Sequence, residues 1–172
     1  MGKTAPMGAA YDIDAWKDFA VMAGGASAAL AGMLVVALTI NIEEIVRFAY
    51  LPRRALVALV VLLTPLVMAV LLLVPAQSDV VVGIELVVLG IVLGAVIIGQ
   101  LGRYDDHSHR TRTQWYAQIV GPFMATVGSV TMAGIGLAAG AAGGLMWLVP
   151  AVLTAIVGGT AQVWVLLVEV RR

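Results

Sequence analysis

The sequence predicts an all-α polytopic membrane protein, a bundle of five transmembrane helices. Of the 172 residues, 62% are hydrophobic and only 12% are charged, and the mean hydropathy is +1.03. A soluble domain carries about a quarter charged residues and could not bury this much apolar surface, whereas lipid solvates it. Five apolar stretches each approach the roughly 20 residues that cross a bilayer core, and the period-two alternation of a β-barrel is missing.

The boundaries of the spans follow from the positions of proline and polar residues. Leu51-Pro52 should end the polar extension of the first span, because a residue before proline avoids the α region. Pro75 closes the second span, and Ser78 or Asp79 is a suitable N-cap for the third. The predicted spans are residues 19–42, 55–74, 80–101, 117–139 and 145–168.

Two of the connections between spans are short. The second and third spans, and the fourth and fifth at Gly143-Gly144, should therefore form tight antiparallel hairpins. No repeat and no linker divides the chain, so residues 1–172 are predicted to form a single transmembrane domain.

The basic residues predict the orientation. Lys3 and Lys17 precede the first span, and the other eight of the ten basic residues follow spans one, three and five. Because Lys and Arg accumulate in cytoplasmic loops, the N-terminus is predicted outside and the C-terminus in the cytoplasm. The tryptophans and tyrosines agree, since all of them fall at or near predicted membrane interfaces.

Composition and motifs argue against several functions. A formal net charge of zero gives no basic face for nucleic acid, and the lack of cysteine excludes disulfides and thiolate metal sites. Asp105, Asp106, His107 and His109 resemble metal ligands, but their spacing matches no standard site, so a solvated loop is expected. Ser27 has no histidine nearby to activate it. The sequence therefore predicts no enzyme, no metal and no cofactor, with the lipid bilayer as the principal partner.

Small residues recur at helical spacing in three of the spans. Such residues let helix backbones approach closely, and in lipid this packing drives association. Packing within one subunit and packing between subunits both explain the pattern, and the number of such faces favours some of them meeting a neighbouring copy in a homo-oligomer. The residues concerned are Gly24, Ala28 and Gly32, predicted to share one face, together with Gly90 and Gly94 and with Gly136 and Gly140.

Four polar residues are candidates for a pore or a polar contact. Glu85 lies about six residues into the third span, roughly 9 Å from its outer end. A carboxylate at that depth must be protonated, paired or wet, so it either lines a pore or bonds to a neighbouring helix. Asn41 and Glu44 lie at the inner end of the first span, where Glu44 can pair with Arg47, and Gln162 lies in the fifth span.

Parts of the first half of the chain resemble a known family. The runs at residues 19–32 and 35–41, with the shorter runs at residues 51–55 and 83–86, resemble small multi-pass membrane proteins of actinobacteria. The resemblance implies a bacterial plasma-membrane protein. It brings no activity and no site residues with it.

Two functional hypotheses follow. The first is a homo-oligomeric ion channel or pore, which the small-residue faces and Glu85 favour. The second is a non-catalytic structural or regulatory subunit that binds another membrane complex. A continuous polar face would favour the first hypothesis, and a smooth apolar face would favour the second.

Overall fold

The computed structural model describes residues 8–47, 51–101 and 121–170, and the side chains of residues 100–101 and 165–170 are not described. This part of the chain contains six α-helices and no strand, which confirms the predicted all-α fold. The helices are α1 (Lys17–Ile40), α2 (Ile42–Arg47), α3 (Leu51–Leu73), α4 (Asp79–Leu101), α5 (Gly121–Ala139) and α6 (Leu148–Val170).

Five of these helices are long and apolar enough to cross a membrane; the exception is α2, which has six residues. Their number and order confirm the predicted spans. The predicted start of the fourth span, at residue 117, lies outside the described residues.

The largest difference from the predicted boundaries is at the start of α3. Residues 51–54 are already helical in α3, whereas the sequence predicted a span from residue 55. Pro52 therefore lies within α3 and does not separate it from the first span. Residues 48–50, between α2 and α3, lie outside the described residues.

The helices form a ring of four with α1 on its outside. In the ring, α3 packs on α4, α4 on α5, α5 on α6, and α6 on α3, while α1 packs chiefly on α3. Every one of these pairs is antiparallel, since consecutive spans alternate in direction. Two ends result: the "turn end", with the α3–α4 and α5–α6 turns at residues 74–78 and 140–147, and the "arginine end", with Arg47, Arg53 and Arg54.

The largest core cluster ties all five spans together in the half of the bundle nearer the turn end. It includes Ala20 of α1, Met68 of α3, Leu86 of α4, Val130 of α5 and Leu148 of α6, which are all buried. A second cluster of buried residues nearer the arginine end contains residues of α3, α4, α5 and α6 but none of α1. The interior of the ring is thus filled by packed side chains.

Both turns are built by local capping. Ser78, one of the two predicted candidates, is the N-cap of α4, because its Oγ accepts a hydrogen bond from the N–H of Val81 at 3.4 Å. At the end of α5, the N–H of Ala141 donates to Gly136 O at 3.0 Å and that of Gly140 donates to Leu137 O at 3.3 Å. This pair of bonds is a Schellman motif, and Gly140 adopts the positive φ of 61° that the motif requires.

A segment that the sequence did not predict crosses the turn end. Residues 8–16, here named the "N-terminal strap", form two short 3-10 turns before α1. The Tyr11 hydroxyl accepts a hydrogen bond from the N–H of Gly143 at 3.2 Å, and the Trp16 indole donates to Ala9 O at 2.8 Å. The strap thereby joins α1 to the α5–α6 turn.

Candidate functional site

The closest helix contact joins α4 to α5 through small residues in antiparallel register. A Cβ atom added to Gly83 would lie 2.8 Å from Gly134 O, and one added to Gly134 would lie 2.8 Å from Val87 N. Farther along α4, Gly90 contacts the side chain of Thr131. A Cβ atom added to Gly94 would lie 3.4 Å from the side chain of Val127. The predicted packing role of Gly90 and Gly94 is thus an α4–α5 contact within one subunit.

Sequence reasoning missed the tightest part of this contact. Gly83, Val87, Gly90 and Gly94 are spaced by four, three and four residues, as in a heptad repeat. Val127, Thr131, Gly134 and Ala138 have the same spacing on α5. Two matching heptad patterns on antiparallel helices were the available signal, because such patterns place residues along one seam.

Gly136 and Gly140 serve the turn and form no helix–helix face. A Cβ on Gly136 would lie 2.8 Å from Ala141 O and 2.9 Å from Gly144 N, which belong to the α5–α6 turn. Gly140 has no atom within 4 Å of a Cβ position and is used for its positive φ. The expectation that this pair packs helices is therefore corrected: both build the end of α5.

Gly24, Ala28 and Gly32 do not share one surface. Gly24 is buried against α3, where an added Cβ would lie 2.8 Å from the Cβ of Ala69. Ala28 and Gly32 are exposed, and nothing lies within 4 Å of a Cβ on Gly32. Four-residue spacing drifts around a helix of 3.6 residues per turn, so two such steps turn the third residue away from the first.

Glu85 lies on α4, six residues after its start, and is half-buried. Its carboxylate accepts hydrogen bonds from Gln77 Nε2, at 3.1 Å to one oxygen and 3.3 Å to the other. Gln77 belongs to the α3–α4 turn, and its side chain extends alongside the first turns of α4 toward Glu85. Its own Oε1 is buried and has no hydrogen-bond partner in the part of the chain that the structure describes.

The other three polar candidates lie toward the arginine end, each with a nearby partner. Asn41 caps α1 by donating from Nδ2 to Ala37 O at 2.8 Å. Glu44 pairs with Arg47 at 3.1 Å on α2. Gln162 accepts from Arg54 Nη2 at 3.3 Å, which joins α6 to α3. The structure therefore does not bring these residues together with Glu85.

Polar side chains inside the bundle satisfy backbone and hydroxyl groups of their own subunit. The Ser27 hydroxyl donates to Leu62 O and so joins α1 to α3. Thr126 and Thr154 are linked by a hydrogen bond of 2.9 Å between α5 and α6. Interhelical hydrogen bonds of this kind are the usual role of polar residues in transmembrane helices.

A cavity of about 330 Å³ lies at the turn end, between the strap and the α3–α4 turn. Gln77 lines it, so the partner of Glu85 is also part of the cavity wall. Three acidic residues and one lysine line it as well: Asp12, Asp14, Asp79 and Lys17. Lys17 pairs with Asp14 at 2.6 Å, which leaves an excess of negative charge around the cavity.

The sequence cluster that resembles metal ligands, residues 105–109, lies outside the described residues. Within the described ranges, no group of three or more His, Cys, Asp or Glu side chains is placed to hold a metal ion.

The apolar helices and their length define the class of protein: it is a multi-pass membrane protein with five candidate spans. Comparison of the chain with protein-family models, with curated proteins and with solved structures gave no match.

Proposed function

We propose that the protein is a non-catalytic membrane subunit that associates side by side with a second copy of itself through the outward face of α1. The observation that carries the proposal is the exposure of α1. Only 28% of the apolar window of the first span is buried, against 39–50% in the other four spans.

The exposed side of α1 has the composition of a helix-packing surface. It carries Gly25, Ala28, Ala29 and Gly32, and no atom lies within 4 Å of a Cβ on Gly25 or Gly32. Lipid offers no hydrophobic gain from hiding apolar side chains, so close backbone approach and van der Waals packing drive association. The Gly25–Ala29 and Ala28–Gly32 pairs, each four residues apart, suit such an approach.

The contacts of the polar side chains support a non-catalytic subunit. Ser27, the serine considered as a nucleophile, donates its hydroxyl to Leu62 O within the bundle. Of the described polar residues on the lipid-exposed surface of the spans, Thr39 and Thr160 each bond to a carbonyl of their own helix. The described surface of the spans is therefore apolar, which favours a subunit over a pore.

The experiment measures the subunit number in nanodiscs by native mass spectrometry. Gly32→Leu should shift the protein toward the monomer, because the larger side chain blocks helix approach. Gly128→Leu is the matched control: Gly128 is exposed on α5 with no atom within 4 Å of a Cβ position. A monomeric wild type, or an equal shift in both variants, would overturn the proposal. Co-purification of a different membrane protein, lost in Gly32→Leu, would indicate a heteromeric partner instead.

A cation pathway is the second candidate function, and the half-buried Glu85 favours it. If copies assemble around an axis, one Glu85 from each would form an acidic ring, and such rings select cations. Ion flux into proteoliposomes should then fall in Glu85→Gln. Equal flux in the wild type and in Glu85→Gln would remove Glu85 from any pathway.

A further inference from the structure

We propose that Gln77 and Glu85 form a binding site for one alkali ion, which enters from the cavity at the turn end. The site lies within one subunit. It therefore stands independently of the association through α1, and it gives the cation pathway its first binding position.

The first support is the surroundings of Glu85. Its neighbours on α4 are apolar: Leu86 is fully buried, and Ile84 is 55% exposed on the lipid side. Among the described residues, the partner of the Glu85 carboxylate is the neutral amide of Gln77, and the described ion pairs, Lys17–Asp14 and Arg47–Glu44, lie elsewhere. A carboxylate in a span is costly unless a cation or water compensates it.

The second support is the buried oxygen of Gln77. Nε2 donates to both oxygens of Glu85, whereas Oε1 is buried and has no hydrogen-bond partner among the described residues, which is unfavourable for a buried acceptor. A cation bound to the carboxylate favours the opposite orientation of the Gln77 amide. After rotation of the amide, Oε1 faces Glu85, where it can coordinate an alkali ion together with the carboxylate.

The third support is the route. Gln77 lines the cavity of about 330 Å³ and bonds to Glu85, so one side chain separates the cavity from the carboxylate. The charged groups of the cavity wall are Asp12, Asp14 and Lys17 on the strap side and Asp79 at the start of α4. A cleft with an excess of one charge raises the local concentration of the opposite ion, so this wall attracts cations.

The test uses dicyclohexylcarbodiimide, which modifies protonated carboxyl groups in apolar surroundings. The full chain in nanodiscs is treated at one fixed pH, with either sodium or choline as the cation, and modification is followed by intact mass and peptide mapping. Glu85 should be modified more slowly in sodium than in choline, because a bound alkali ion protects the carboxylate. Equal rates in the two salts would contradict an alkali-ion site.

Two variants make the test specific. Gln77→Leu should change the modification rate of Glu85 severalfold, because the amide that holds the carboxylate is lost; Gln77→Asn, which keeps an amide, should partly restore it. Gln162→Leu is the matched control at the arginine end and should leave the rate unchanged. Failure to modify Glu85, or equal rates in the wild type and Gln77→Leu, would overturn the proposal. Measuring the subunit number in the same samples keeps this outcome separate from a failure of α1 association.

Discussion

Gly134 of α5 lies so close to Gly83 of α4 that a Cβ atom on Gly134 would stand 2.5 Å from Gly83 O. The two helix backbones touch at this point. Neither backbone can move aside cheaply, because Val87 N would also lie 2.8 Å from the added atom. The seam between α4 and α5 therefore depends on glycine at both positions.

We expect Gly134→Ala to destabilise the protein by about 1–3 kcal/mol, the range found when extra methyl groups are forced into packed interiors. Thermal unfolding in detergent, followed by circular dichroism, measures the change. Gly128→Ala on the same helix is the control, since a Cβ there meets nothing within 4 Å. It should be neutral or slightly stabilising, because alanine favours helix over glycine by up to about 1 kcal/mol. Equal stability of the two variants would contradict the close contact.

The strap offers a second prediction. Tyr11→Phe removes the hydroxyl that accepts from the N–H of Gly143 and leaves the ring that packs on Gly144. A single hydrogen bond of this kind contributes about 1 kcal/mol, so the variant should loosen the α5–α6 turn without unfolding the bundle. Hydrogen exchange at residues 140–147 should become faster, while exchange in α3 should not change. Unchanged exchange at the turn would show that the strap does not hold it.

The third prediction concerns orientation. Because the chain has no cysteine, single introduced cysteines can be labelled without background. Ser78→Cys at the turn end should react with an impermeant maleimide added outside intact cells, and Glu43→Cys at the arginine end should react only after the membrane is opened. Both positions are exposed, so access to the reagent does not distinguish them. The opposite pattern would place the arginine end outside and reverse the predicted topology.

Much of the fold could be predicted from the sequence because lipid restricts the choice. A spanning backbone must satisfy its own hydrogen bonds, so a stretch of apolar residues of sufficient length predicts a helix. The N-cap at Ser78 was also predictable, because capping depends on a few neighbouring residues. The α5–α6 connection is longer than the short turn predicted at Gly143-Gly144, since it occupies residues 140–147 and includes a 3-10 turn over Gly144–Trp147. The prediction placed the start of α3 too late, because proline can mark the end of one helix and can also occur in the first turn of the next.

The functional candidates were less predictable. Glu85 could be selected from its depth alone, but its partner Gln77 could not, since the reach of a side chain along a helix is not visible in the sequence. The spacing of Gly24 and Gly32 predicted that both lie on one packing face. Only the position of α3 beside α1 shows that Gly24 is buried and Gly32 is exposed. In the sequence, Gly136 has the spacing of a helix-packing residue. Its role in the α5–α6 turn could not be predicted, because it depends on the contacts with Ala141 and Gly144.

By itself, the sequence determined that lipid surrounds the helices, how many spans there are and how the basic residues are distributed between the two ends. These properties depend on composition and on residues close together in the chain. The tertiary structure decided which small residues meet: Gly83 with Gly134, and Gly24 with Ala69, leaving Gly25 and Gly32 exposed. The physical reason is that a transmembrane helix is apolar all around, so hydrophobicity does not mark its buried face, and only the packing of neighbouring helices selects it.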